Sequence, residues 1–215
     1  VTRFLLINPN TSDATTERMV AIAQQAVPSG VVVFGTTARC GVPMIVDAPS
    51  LQNAAAEVVE LGALYAPRAD GIIVAAFGDP GLDDLRTRVA VPVVGIAESA
   101  MRDAADSGRR FGVATVTPGL VDAIVGRATA LGLQEHFTGV RLTESDPAAL
   151  LANPAHLVAE LGAAVALCIT DGAKAVIIGG GPLGDAAAAL AGQFAVPVIA
   201  PIPAAIRRLS QLVLG

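Results

Sequence analysis

The chain has 215 residues, 53% of them hydrophobic and 15% charged, with a formal net charge of −5. That length can bury a sizeable core as one large α/β domain or two small ones, and the apolar, weakly charged composition excludes disorder. The acidic balance argues against nucleic-acid binding, which needs a basic face to neutralise phosphates, and no run of about 18 apolar residues is present to span a membrane. Short β-branched runs alternate with Ala/Leu-rich helical patterns. The first half reads strand Arg3–Asn8, helix Ser12–Val27, strand Val31–Thr36, helix Leu51–Ala66, strand Gly71–Ala75, helix Leu82–Arg88 and strand Val91–Ile96. The second reads strand Arg110–Thr115, helix Gly119–Leu131, strand Thr138–Leu142, helix Pro154–Asp171, strand Ala175–Gly179, helix Asp185–Gln193 and strand Val196–Pro201, with a last helix over Ala204–Leu214. Near-continuous apolar strands alternating with helices imply an α/β fold whose parallel sheet is covered on both faces.

The halves repeat. ADGIIVAAFGDPGLDDLRTRVAVPVVGI (69–96) and AKAVIIGGGPLGDAAAALAGQFAVPVIAPI (173–202) each give strand, Gly/Pro turn, helix, Ala-Val-Pro-Val and strand. Arg3-Phe4-Leu5-Leu6 leading into Asn8-Pro9-Asn10 likewise parallels Arg110-Phe111-Gly112-Val113 leading into Thr115-Val116-Thr117. Self-similarity of this kind predicts two four-stranded βα units related by duplication. The expected lobes are residues 1–97 with 204–215, and residues 98–203, with a hinge near Glu98–Ser107. Open α/β sheets bind ligands outside the carboxyl ends of their strands. Two such units face to face would open both sets of strand ends into one cleft, placing Asn8-Pro9-Asn10 opposite Thr115-Val116-Thr117, and Ala75-Ala76-Phe77 opposite Gly179-Gly180-Gly181.

Several residues are candidates for chemistry. Asn8, Asn10 and Thr11, with Ser12 or Asp13 opening a helix, form an anion cradle of amides, hydroxyls and free N–H groups; an ordinary helix cap explains the Ser or Asp equally. Thr115 and Thr117 could hold a carboxylate, or merely end a strand before the Pro118-Gly119 turn. Gly179-Gly180-Gly181-Pro182-Leu183-Gly184 satisfies G-x-G-x-x-G, but no acidic residue follows at ribose distance, so a backbone-lined pocket around Gly181 and Pro182 for a small carboxylate or ureide is favoured over a dinucleotide site, and a tight turn with no ligand stays open. Asp79, Asp83 and Asp84 are expected to serve the start of the helix after the third strand. Glu98 should end a strand that opens into the cleft, as a cap or as a base. Tyr65, at a helix end, is expected to pack there. Cys40 and Cys168 form no CxxC pair, and His136 and His156 have no metal-ligand spacing, so neither a metal nor a disulfide is expected and the cysteines read as packing residues. The N-terminus opens on an apolar strand with no charged leader, for which a cytoplasmic protein is the expectation, and sparse charge on an apolar chain predicts a homo-oligomer.

Ile7-Asn8-Pro9-Asn10-Thr11-Ser12, Gly35-Thr36-Thr37-Ala38-Arg39, Phe77-Gly78-Asp79-Pro80-Gly81 and Pro92-Val93-Val94-Gly95-Ile96-Ala97-Glu98 resemble, in this order, the aspartate/glutamate/hydantoin racemase superfamily, in its hydantoin/allantoin racemase branch. The resemblance covers essentially the whole chain. It implies two pseudosymmetric Rossmann-like lobes, no cofactor, and deprotonation alpha to a carbonyl between two cysteines, one removing the proton and the other returning it from the opposite face. The family's cysteines fall at positions occupied here by Ala76 and Gly180, and neither a methyl nor a hydrogen moves a proton. Either the natural chain lacks the thiols, or Ala76 stands in for a cysteine. Three functions stay open: a racemase-family protein binding a small carboxylate or ureide; a cofactor-independent decarboxylase of malonate type or an isomerase of maleate type, the decarboxylase using backbone donors near Phe77-Gly78 and Gly180-Gly181; and a non-catalytic small-molecule binding protein.

Overall fold

A computed structural model describes all 215 residues. In the first half β1 (Thr2–Asn8), α1 (Asp13–Ala26), β2 (Val31–Thr37), α2 (Ala48–Tyr65), β3 (Gly71–Val74), α3 (Leu82–Arg88), β4 (Val93–Gly95) and α4 (Ile96–Ala104) follow one another. The second half continues with β5 (Phe111–Thr115), α5 (Val121–Ala130), β6 (Phe137–Leu142), α6 (Pro147–Leu151), α7 (Pro154–Thr170), β7 (Ala175–Ile178), α8 (Gly184–Leu190), β8 (Val198–Ile199) and α9 (Pro201–Leu214). The strands form two four-stranded sheets, ordered β2-β1-β3-β4 and β6-β5-β7-β8, with every pairing parallel. The identical order in the two halves is the structural counterpart of the sequence repeat.

The period-2 alternation of a strand sorts side chains between two layers. Phe4, Leu6, Ile73 and Val94 of the first sheet join Phe111, Val113, Ile177 and Ile199 of the second in one apolar core of 30 buried residues. Their neighbours Leu5, Ile7, Ile72 and Val74 face the opposite way, onto α2 and α3, while Ala114, Val176 and Ile178 face α7 and α8. The central core therefore belongs to both halves. Each buried Leu, Ile, Val or Phe in it contributes roughly 1.5–3 kcal/mol relative to exposure.

The last helix of each unit crosses to the other. Helix α4 packs on β7, β8 and α5 of the second half, and α9 packs on β3, β4 and α1 of the first; α4 and α9 also lie against one another. The last helix thus returns to the first half, and the segment 98–107, where the sequence suggested a hinge, is mostly occupied by α4, with Ile96, Ala97, Glu98, Ser99, Ala100, Met101 and Ala104 buried. The edge strands β4 and β8 are shorter than the sequence implied, and α6 was not anticipated. Its single turn is started by Asp146, whose carboxylate accepts the N–H groups of Ala148 and Ala149, a signal too short to show periodicity.

Candidate functional site

Strands β1, β3, β5 and β7 are the inner strands of their sheets, and the turns that follow them converge on a cavity of about 90 Å³ between the halves. Asn10, Thr15, Met19, Ala75, Ala76 and Phe77 line it from one side, and Val116, Thr117, Leu120 and Gly179 through Leu183 from the other. Ala76 and Gly180 thus share one cavity. The two walls approach closely: a Cβ built on Gly179 would sit 3.4 Å from Phe77 Cδ1, and one on Gly181 would sit 3.4 Å from the Ala75 carbonyl oxygen. Gly180 has φ 165° and ψ 132°, extended backbone that any residue adopts, so the chain direction there does not exclude a side chain.

The Asn-Pro-Asn turn is largely bonded to itself. Asn8 is fully buried and off the cavity wall. Its Nδ2 donates to Asn10 Oδ1 (2.8 Å), Thr16 Oγ1 (2.9 Å) and the Ser12 carbonyl (3.0 Å), and its Oδ1 accepts the Asn10 N–H (3.1 Å). Asn10 Oδ1 also accepts the Ser12 N–H at 2.9 Å, and Ser12 Oγ accepts the Thr15 N–H at 3.2 Å, capping α1. Of this group Asn10 reaches the cavity; Asn8 holds the turn in shape, and Thr11 donates its N–H to Val42 at 3.0 Å. The second half mirrors the arrangement. Buried Thr115 donates its hydroxyl to the Gly179 carbonyl (2.6 Å) and shares a hydrogen bond with Thr117 (3.2 Å), so Thr115 braces the wall and Thr117 forms part of it. Gly78 likewise lies behind the wall that Phe77 supplies.

Two features set the chemistry of the cavity. No acidic, basic, histidine, cysteine or tyrosine side chain lines it, so no side chain there titrates near neutrality. Main-chain donors stand free on both walls: the N–H groups of Ala76 and Phe77 on one side, and of Thr117 and Gly181 on the other, make no hydrogen bond within the chain. Phe77, Thr117 and Gly181 are buried residues, where more than nine in ten N–H groups are normally paired.

The charged residues form a separate cluster behind the Phe77–Gly81 turn. Asp79 was expected to serve the start of α3. It caps α4 instead, its fully buried carboxylate accepting the N–H groups of Ala97 (2.9 Å) and Glu98 (2.7 Å) and the Arg127 Nε of α5 (3.0 Å). The chain doubles back at Asp79 (φ 52°), which brings the carboxylate to the end of the adjacent strand; Asp83 and Asp84 remain in the first turn of α3. Burial pushes the Asp79 carboxyl up to about 6, against the opposing pull of Arg127 and the two N–H groups. Glu98 does not open into the cleft. Its side chain, 3% exposed, lies within 2.6 Å of Arg86 and 3.1 Å of Arg102, with Arg127 and Arg208 each at 3.5 Å. Burial raises its carboxyl, but these guanidinium groups outweigh burial and hold it below the usual range. A carboxylate so paired is an anchor between helices and a poor base.

The remaining candidates fall outside the cavity. Cys168 lies on the buried face of α7, its thiol pushed up to about 12 by burial and by Asp171, and Cys40 is exposed in the loop after β2. His156 is half exposed beside Glu160 at 2.9 Å. Tyr65 ends α2, packed on the outer core of the first sheet. The sequence reading passed over Met44, Ile45, Leu51 and Leu151, which complete the lining, and Arg127. The apolar run Pro43-Met44-Ile45-Val46 inside a loop was the available signal for the first two; nothing local marks Arg127.

Two duplicated parallel sheets that close a small cavity between their carboxyl ends define an α/β protein built to enclose a small molecule. The Asp/Glu/Hydantoin racemase family profile matches residues 4–209, and the chain belongs to that family, on its hydantoin and allantoin racemase side. It is 29% identical to the hydantoin racemase of Paenarthrobacter aurescens over 98% of this chain and 91% of that one. Its structure matches the allantoin racemase from Klebsiella pneumoniae with a TM-score of 0.93 and 30% identity, covering 100% of this chain and 88% of the other. Arylmalonate decarboxylase (16% identity, TM-score 0.66, covering 99% and 93% of the two chains) and the maleate isomerase from Pseudomonas putida S16 (18%, 0.73, covering 98% and 92%) share the fold at greater distance. The racemase reading is accordingly better supported than the decarboxylase or isomerase alternatives.

Proposed function

We propose that this chain binds a neutral cyclic ureide in the cavity between its halves and, with Ala76 and Gly180 in place of two thiols, does not racemise it. The observation that carries the reading is the pairing of unbonded N–H groups on both walls with a lining free of charge. Such a site offers donors to a ring with carbonyl oxygens on two sides. A carboxylate would enter the same cavity without a cation to meet it, and burying an unpaired charge is strongly unfavourable. Asn10, Thr117 and the amides of Phe77 and Gly181 would hold the ligand; Asn8, Thr115 and Asp79 would keep those groups in place. The relatives named as hydantoin and allantoin racemases favour a ureide of this type. Proton abstraction beside a carbonyl needs a base within hydrogen-bond reach, and the cavity lining supplies none.

The test combines thermal melting with proton exchange. A bound 5-substituted hydantoin at about 100 times its Kd stabilises the fold by roughly 2.7 kcal/mol, a rise of about 5–11 °C for a chain of this size. In heavy water the alpha proton of either enantiomer should stay in place. Stabilisation by a dicarboxylate and not by hydantoins would overturn the ligand class; exchange at enzymatic rates would overturn the inertness.

A further inference from the structure

Residues 43–46 leave the first half, cross the cavity and rest on the second half. Met44 and Ile45 form part of the lining. The crossing is tied down at both ends: the Thr11 N–H bonds the Val42 carbonyl at 3.0 Å, and Asp47 caps α2 by accepting the Ser50 N–H at 2.8 Å. Between these anchors no main-chain group of residues 43–46 makes a hydrogen bond. What the segment rests on is Gly119, in the single turn Pro118–Leu120 between two lining residues, Thr117 and Leu120. A Cβ on Gly119 would lie 2.5 Å from the Val46 carbonyl oxygen and 3.3 Å from Asp47 Cα. The φ of Gly119 lies outside the left-handed region, so backbone conformation does not require glycine there. Space does.

We infer that residues 43–46 are a strap that opens to admit the ligand, and that Gly119 is the positioning residue that lets it close. Access to the ligand site set out above passes under this strap, and on that reading Gly119 governs how tightly the ligand is held. A segment without main-chain hydrogen bonds opens at low cost, whereas the walls on either side are strand ends held by their sheets. A side chain at 119 meets backbone, which cannot rotate away as a flexible side chain can, so the strap itself must lift.

The experiment places a reporter beneath the strap. In a Cys40→Ser background, Ala76→Cys puts a thiol on the cavity wall, and Cys168 stays buried and unreactive as an internal check on folding. Adding Gly119→Ala should speed labelling of the thiol at position 76 by a water-soluble thiol reagent about tenfold, equivalent to weakening closure by ~1.4 kcal/mol. Met44→Gly, which removes a strap side chain from the cavity, should act in the same direction and serves if Gly119→Ala exposes Cys168. Unchanged labelling in a folded variant overturns the strap. A 5-substituted hydantoin should slow labelling strongly with Gly119 and weakly with Gly119→Ala. If it protects neither protein while the labelling difference persists, the ureide reading fails and the strap stands.

Discussion

Replacing Arg127 by methionine separates the charge cluster from the cavity it supports. The Arg127 side chain is 11% exposed and reaches Asp79 (3.0 Å), Asp83 (3.3 Å) and Glu98 (3.5 Å). At 3.0 Å an ion pair is worth about 5 kcal/mol at an effective dielectric near 20, part of which is spent desolvating the guanidinium. Removing one partner of a buried pair typically costs 3–5 kcal/mol. Asp79 keeps two N–H bonds and Glu98 keeps Arg86 and Arg102, which places Arg127→Met near ~3 kcal/mol at pH 8, a fall of about 6–12 °C in melting temperature. The cost depends on Asp79 carrying its charge. With a carboxyl pushed up to about 6, most of that charge is gone at pH 5, and the penalty should shrink to about 1 kcal/mol. Thermal melts of the two proteins at pH 5 and pH 8 check this. Equal penalties at the two pH values would show that Arg127 acts through packing and that the ion pair with Asp79 contributes nothing.

Three further outcomes follow from the same geometry. Ala76→Cys combined with Gly180→Cys should produce alpha-proton exchange on both enantiomers of a bound hydantoin, and the single Ala76→Cys on one at most, read by deuterium uptake; the extended backbone at Gly180 admits the side chain, and the obstacle is the flexible Leu183 tip 2.8 Å from the new Cβ, a cost of about 0.5–1.5 kcal/mol if it is forced off its rotamer. Asp79 should set a pH-dependence of stability opposite to that of an ordinary paired carboxylate. Its folded value lies above the ordinary 3.8, so its contribution is fully present below about pH 4 and lost as pH rises through 6, by about 3 kcal/mol. Glu98, held low, contributes in the opposite sense and loses its share as pH falls. Urea unfolding of the native protein and Asp79→Asn from pH 4 to 7.5 isolates the first effect, and a pH-independent difference between the two would refute it. A thiol reagent should label Cys40 in the folded protein and Cys168 only after unfolding, since burial holds the latter thiol near 12; simultaneous labelling under native conditions would contradict the packing of α7.

What the sequence determined by itself is whatever depends on neighbours along the chain. Apolar runs of strand length, the Ala-Val-Pro-Val repeat and the Gly/Pro turns established an α/β duplication. The Asn-Pro-Asn-Thr-Ser and Phe-Gly-Asp-Pro-Gly runs pointed to the family to which the chain belongs. The tertiary structure decided what depends on residues far apart. Asp79 and Arg127 meet across 48 positions, and Glu98 is neutralised from α3, α4, α5 and α9, so the same acidic residues that looked available for caps or catalysis in one dimension are paired in three. The segment read as a hinge is a buried helix because its apolar residues Ile96, Ala97, Ala100, Met101 and Ala104 enter the core that the two halves share. Asn8 and Asn10, alike in sequence, separate into a brace and a cavity wall because a turn can direct only some of its side chains at a ligand while the others satisfy its own backbone. Which residues roof the cavity was decided the same way, since Met44 and Ile45 come from a loop and Leu151 from the end of the short helix α6, and their apolar side chains acquire a role only when the two halves of the chain meet.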